Sequence, residues 1–294
     1  MKIGEKLIKP FAVSSGKDFC LSSVPTDGRD ELKIDRDAAE KMLELGIERL
    51  SAMQERLYAE NRQSLLLVFQ AMDAAGKDST IKRVMSGVNP QGCQVFAFKA
   101  PSAEELDHDY MWRCVRHLPE RGRIGIFNRS YYEEVLAVRV NPQLLENQRL
   151  PVNLAEDGDL FEKRYQDIRN FEDYLRRQGT RVIKFFLNVS KAKQKERFLE
   201  RLDDPQKHWK FSPSDLESRE SWDDYMRAYE DMIKATATKH APWHVVPADR
   251  KWLTRVIVIA AIVTALEDLD PQYPDVSPEF KDKIEAYRSA LKNK

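Results

Sequence analysis

Cysteine is scarce in this chain, and neither sign of charge is in excess. Three Cys (Cys20, Cys93 and Cys114) stand among 294 residues, with no CxxC spacing. That usage argues against a disulfide framework or a cysteine-based zinc site, and it suits a reducing cytosol. Lys+Arg and Asp+Glu both number 48, a formal net charge of zero. No long-range field gathers nucleic acid or anionic membrane, although a local basic groove is not excluded. The five His form no HxxxH or HExxH pattern, which argues against a histidine-held zinc. No Gly-x-Ser-x-Gly elbow supports acyl-transfer hydrolysis. No RNP, helix-turn-helix or zinc-finger pattern points to a nucleic-acid partner. The longest apolar run, Val256–Val263, falls far short of the roughly 20 residues of a membrane span. The N-terminus lacks the apolar stretch of a signal peptide. A cytoplasmic protein with no membrane partner is the expectation.

What is present is a regular alternation. Residues 1–34 have no sustained period and read as an irregular N-terminal arm. Asp37-Ala-Ala-Glu40 reads as a capping box opening a helix that runs to about Glu60. Apolar, β-rich runs follow at 64–70, 93–99, 123–128, 180–187 and 243–246. Helical stretches at about 78–86, 103–117, 160–177, 190–201, 214–239 and 251–268 separate or follow them. Strands alternating with helices predict an α/β fold with a parallel five-stranded sheet between helical layers. Residues 35–294 read as one domain.

The run Ser64–Gln70 leads into the small-residue turn Ala71–Gly76 and then Lys77. Peptide N–H groups in such a strand–turn–helix point at an anion, and the new helix adds the positive end of its dipole. Gly76 lets backbone approach closely and Lys77 can reach a phosphate. The match to GxxxxGK[ST] is imperfect: Ala71 replaces the first Gly, Asp78 stands at the hydroxyl position, and Ser79 and Thr80 come late. Asp73 inside the loop repels phosphate unless a metal lies between them. It is a candidate Mg²⁺ ligand or orienting base. The alternative is a plain cap on the next helix.

A second strand end, at Asn128, carries Arg129, Ser130, Glu133 and Glu134. Ligands of open parallel sheets sit beyond such ends, and Arg129 suits bidentate phosphate binding. Glu134 and Arg139 also fit a surface ion pair. Between Arg181 and Lys210 stand nine Lys/Arg against four Asp/Glu. Arg197 and Arg201 share a helix face, and a loop bracketed by Pro205 and Pro213 bears Lys207 and Lys210. This segment, about 190–220, reads as a closing lid for a very anionic ligand. The stripe Trp222, Tyr225, Met226, Tyr229, Met232 and Ile233 reads as core.

Together these segments resemble the polyphosphate kinase 2 family over about residues 30–270. Met72–Arg83 looks like its modified Walker A, Gly125–Glu134 like its Walker B region, Asp204–Asp215 like its lid and Ala241–Asp249 like its last strand and loop. The resemblance implies a thymidylate-kinase-like P-loop kinase fold, a three-layer sandwich with a helical lid. It implies reversible transfer of a terminal phosphoryl group from inorganic polyphosphate to ADP, and to AMP as well from the Tyr-Tyr-Glu-Glu text. Guanine nucleotides are further candidate acceptors, and Mg²⁺, with Mn²⁺ as a substitute, is the implied cofactor. A homodimer or homotetramer is implied too. Carried over by position, Asp73, Lys77 and Arg129 are catalytic and Asp73 is the metal ligand. Phosphate binding falls to Ala75, Gly76, Lys77, Asp78, Ser79, Thr80, Lys82, Arg83, Arg139, Arg197, Arg201, Lys207 and Lys210. Nucleotide binding falls to Asn128, Arg129 and Glu133. One departure stands out: many members have Asp where this chain has Asn128, whose carbonyl can ligate but brings no negative charge. The rival readings are an ATP-dependent nucleoside monophosphate kinase, which shares loop and lid, and a nucleotide-binding regulator without turnover.

Overall fold

The computed structural model describes residues 3–293. Six strands form one sheet: β1 (Ala12–Val13), β2 (Ser64–Gln70), β3 (Cys93–Ala97), β4 (Ile124–Asn128), β5 (Thr180–Asn188) and β6 (Trp243–Pro247). Their spatial order is β1-β6-β5-β2-β4-β3. All neighbours are parallel except β1, which pairs antiparallel with β6. The longer helices are α1 (Ile3–Ile8), α2 (Arg36–Glu60), α3 (Lys77–Val84), α4 (Leu160–Arg177), α5 (Lys191–Leu202), α6 (Pro213–Glu220), α7 (Trp222–Thr236), α8 (Lys251–Leu269) and α9 (Pro278–Lys292).

β2 is buried along its whole length, because β5 and β4 flank it and helices cover both faces. That is why its sequence is continuously apolar rather than alternating. α8 is apolar all round its middle for the same reason: it packs on α2, α1, β5 and β6, and Val256–Val263 are buried within the core. No helix among the described residues is long and apolar enough to cross a membrane. Trp222, Tyr229, Met232 and Ile233 of α7 are buried, so the core reading of that stripe holds.

Four expectations need correction. The sheet has six strands, not five, because the arm is ordered: α1 lies along α8 and β1 covers the outer edge of β6. A free edge presents unpaired N–H and C=O groups, and covering it satisfies them. The cap of α2 is Asp35, whose side chain accepts from the Ala38 N–H at 2.7 Å, and not Asp37. The stretch 103–117 forms only two single turns, Ala103–Leu106 and Trp112–Val115. The stretch 214–239 breaks at Ser221 into α6 and α7. In addition, α9 was not foreseen; Ser277 caps it and none of its residues is buried.

Candidate active site

The loop 71–76 joins β2 to α3, at the carboxyl end of the central strand. Gly76 has φ +107°, which only glycine adopts without strain. Ala74 has φ +60° and Arg129 φ +63°. For such residues the left-handed region costs roughly 1–2 kcal/mol. Both lie at the site, where strained backbone commonly serves function.

Lys77 begins α3 and is buried. Its Nζ donates to the Ala71 carbonyl at 2.7 Å and reaches the Met72 carbonyl at 3.5 Å. Burial pushes its pKa down to about 8, helped by the nearby Arg129; Asp73, Glu133 and Asp78 pull it back. The Asp73 carboxylate accepts from Arg129 Nη2 at 2.5 Å. That bond joins the loop after β2 to the turn after β4. Asp73 is therefore not the cap of α3, whose N-cap is Gly76 with no side-chain cap bond. Glu133 accepts from Gln70 Nε2 at 2.9 Å, and with Asp73 it holds the Arg129 guanidinium firmly charged. Asn128 Nδ2 donates to Asp78 at 2.6 Å. Ser79 bonds the Gly76 carbonyl at 3.0 Å, and Thr80 is buried.

Arg197 is placed otherwise than a free lid cation. It is buried, and its guanidinium donates to the carbonyls of Ala74, Ala75, Ala248 and Asp249 at 2.7–3.2 Å. It braces the loop from behind. Gln194 adds a bond to the Asp73 carbonyl at 3.0 Å. Sequence reading missed Gln194, since an amide in a charged helix carries no signal.

The segment after β5 is a helix–turn–helix: α5, the turn Pro205–Lys210, then α6. Arg201 Nη1 faces the buried Asp215 at 3.9 Å, which joins α5 to α6. Lys207 pairs with Asp204 at 2.7 Å, and Lys210 lies over the exposed Trp209 ring. Three other expected phosphate ligands are not brought to the loop by any contact among the described residues. Lys82 is exposed in the last turn of α3, and Arg83 turns to Glu40 at 3.8 Å. Arg139 bonds Tyr165 at 2.6 Å and Asp231 at 2.8 Å. It does not pair with Glu134, which is buried against Arg113 and Arg164.

The arrangement gathers a buried ammonium, a guanidinium, a carboxylate and a helix N-terminus at one strand end, which suits phosphate chemistry. Sequence comparison decides which kind. The profile of the family Polyphosphate kinase 2 (PPK2) matches residues 33–274. The chain belongs to the polyphosphate kinase 2 family. It is 49% identical over 283 residues to the ADP-polyphosphate phosphotransferase of Rhodopseudomonas palustris, covering 96% of this chain and 98% of that one. It is 43% identical over 267 residues to the AMP/ADP-polyphosphate phosphotransferase of Meiothermus ruber, covering 91% and 96%. The crystal structure of polyphosphate kinase 2 from Arthrobacter aurescens TC1 superposes with a TM-score of 0.85 at 37% identity, covering 96% of this chain and 98% of that one. The family resemblance and the P-loop kinase fold expected from sequence are thus borne out, as is a phosphotransferase of the polyphosphate-dependent nucleotide kinase type. The names of these relatives give no support to the ATP-dependent monophosphate kinase.

Proposed function

We propose that this protein moves the terminal phosphoryl group of inorganic polyphosphate onto ADP and AMP, reversibly. The observation that carries the reading is the Asp73–Arg129 bond at 2.5 Å beside Lys77. It sets a carboxylate and a guanidinium from two strand ends over one phosphate-binding loop. ADP is the acceptor in the name of the R. palustris relative, and both AMP and ADP in that of M. ruber. GDP stands in the name of a Pseudomonas aeruginosa relative, so guanine nucleotides are a further acceptor class.

In the reaction an oxygen of the acceptor's terminal phosphate attacks the terminal phosphorus of the chain. The new P–O bond forms as the bond to the shortened polyphosphate breaks, and that anion leaves. The attacking oxygen is already ionised, so no strong general base is needed. Lys77 has ammonium protons to spare for phosphate beyond the Ala71 carbonyl, and Arg129 presents the rest of its fork. Both offset charge on the transferring group. Arg197 and Gln194 hold the loop rigid for this. The lid closes with Arg201 towards the chain and excludes water, since hydrolysis is the competing reaction.

A divalent cation fits the donor set. Mg²⁺ takes one or two carboxylates and fills its sphere with phosphate oxygens and water. Asp73 is the carboxylate that would hold it, with Asp78 next along. When bound, Mg²⁺ (or Mn²⁺ in its place) would offset the charge of the phosphates. We further assign the enzyme to the cytoplasm, as a homodimer or homotetramer.

A paired donor assay tests the function. Protein, Mg²⁺ and AMP or ADP receive long-chain polyphosphate or ATP as sole donor, and product nucleotides are quantified. ATP and ADP formed from polyphosphate is the expected result. Transfer from ATP alone, with none from polyphosphate, overturns it. Light scattering checks the assembly.

A further inference from the structure

We propose that α9 joins this chain to a second copy, its apolar seam seated on the acid-rimmed apolar patch that residues 144–162 of the other copy form ahead of α4. The inference rests on the assembly reading above and adds which two surfaces meet.

The helix comes first. A helix of 15 residues is marginal in water unless it has a face to bury. α9 buries none of its residues, yet it carries such a face. Phe280, Ile284, Tyr287 and Leu291 recur at the four-three-four spacing of a packing seam. Leu291 is 77% exposed, and the Phe280 and Tyr287 rings, whose centroids lie 6.1 Å apart, are exposed as well. The borders of the seam are basic. Lys281 and Arg288 run along one edge and Lys283 along the other, while Asp282 falls behind. Two such helices are poor partners for each other. Paired antiparallel, they set Lys281 against Arg288; paired parallel, they set both against Lys283. Like charges meet in either arrangement. The seam wants an apolar surface with an acidic rim.

The same chain carries one. Between the turn after β4 and the start of α4, Val152 is 70% exposed, and Leu144 and Leu154 are exposed beside it. Leu150, Leu154 and Leu160 line an open cleft there. Glu146, Glu156, Asp159 and Glu162 stand exposed around this apolar floor. The basic residues of the segment are already engaged: Arg149 with Asp107, Lys163 with Asp157 and Arg164 with Glu134. An apolar floor with an acidic rim thus complements an apolar seam with basic borders. Both surfaces are exposed in the single chain, so a second copy supplies the match for each. Reciprocal exchange buries two helices on two patches and closes the pair.

Light scattering of the full chain across a dilution series tests the contact. Lys281→Glu with Arg288→Glu reverses one border of the seam and should weaken association roughly tenfold or more. Glu156→Lys with Asp159→Lys reverses the rim and should do the same. The four substitutions together should restore association to within about threefold of wild type, because each reversed surface again meets its complement. All four positions are exposed, so the fold should survive the changes. Should a variant misfold, a chain ending at Ser277, which loses no buried residue, decides by its mass. A wild-type chain that stays monomeric would overturn the assembly reading and this contact with it. An assembly unmoved by the α9 substitutions would overturn the contact alone. Loss without rescue in the fourfold variant would overturn the pairing of α9 with the patch. Wild-type binding to phosphatidylserine vesicles, lost in the α9 variant while the mass stays the same, would reassign the helix to an anionic membrane.

Discussion

Two buried lysines, Lys77 and Lys184, have opposite surroundings. Lys184, on β5, spends all three ammonium protons: on Glu172 at 2.7 Å, the Thr236 carbonyl at 2.8 Å and Tyr132 Oη at 3.0 Å. Glu172 in turn accepts from Tyr131 at 3.0 Å and Tyr132 at 2.7 Å. Every member of that cluster has its partner. Lys77 has one short bond to a carbonyl and, among the described residues, no ion pair. Its carboxylate neighbours act only at a distance, and its pKa falls to about 8. A completed network holds elements together; an incomplete one is poised to take a ligand.

The comparison can be broken at either lysine. The largest effect is expected on stability, from Lys184→Met. It leaves Glu172 buried without its counter-charge, and breaking such a pair costs about 3–5 kcal/mol. Urea unfolding should show it as a lower midpoint. Little change would mean that the cluster repacks without the ammonium. Lys77→Ala should lower turnover by roughly 10²–10³, as the loss of one transition-state donor does. Its urea midpoint below pH 8 should not fall. A Lys whose folded pKa lies below its unfolded value is unfavourable while charged, so removing it relieves the fold there. Near-normal turnover would sink the site assignment.

pH sharpens the contrast further. Between about pH 8 and 10.5 the unfolded chain binds more protons at Lys77 than the folded one, so this residue makes stability rise with pH across that window. The phosphate binding proposed for Lys77 needs the charged form and would run the other way. Polyphosphate affinity, measured by calorimetry, should fall roughly tenfold between pH 7 and 9. A flat profile would show that Lys77 does not titrate against the ligand. The smallest effect belongs to Arg201→Ala on the lid. It should raise KM for polyphosphate about two- to fivefold and leave that for ADP nearly unchanged. The reverse order would move Arg201 to the nucleotide side.

How far the sequence reveals such sites depends on whether their parts are neighbours along the chain. Asp73, Gly76 and Lys77 sit within one loop, and Arg129 ends an apolar run, so strand–turn–helix logic reaches them. Glu172 and Lys184 belong to different elements, and nothing along the chain links them. Arg113, Glu134, Gln148 and Arg164 come from four segments and meet only through the topology. Arg197 misleads for a related reason. Composition marks it as one of many lid cations, but its position on α5 turns it inward under the loop. The arm was illegible because a two-residue strand has no period to detect.

That arm has a consequence for how the molecule is made. β1 meets β6, and α1 meets α8, across more than 200 intervening residues. During synthesis residues 3–13 emerge long before the strand and helix they dock on, so they must wait unpaired until nearly the whole domain has left the ribosome. The sheet is closed last at its β6 edge, by a segment translated more than 200 residues before that edge exists. A chain lacking residues 3–13 would still assemble the phosphate loop and its strand ends. It would also leave β6 bare for pairing with the sheet of a neighbour, so loss of the arm should show first as self-association.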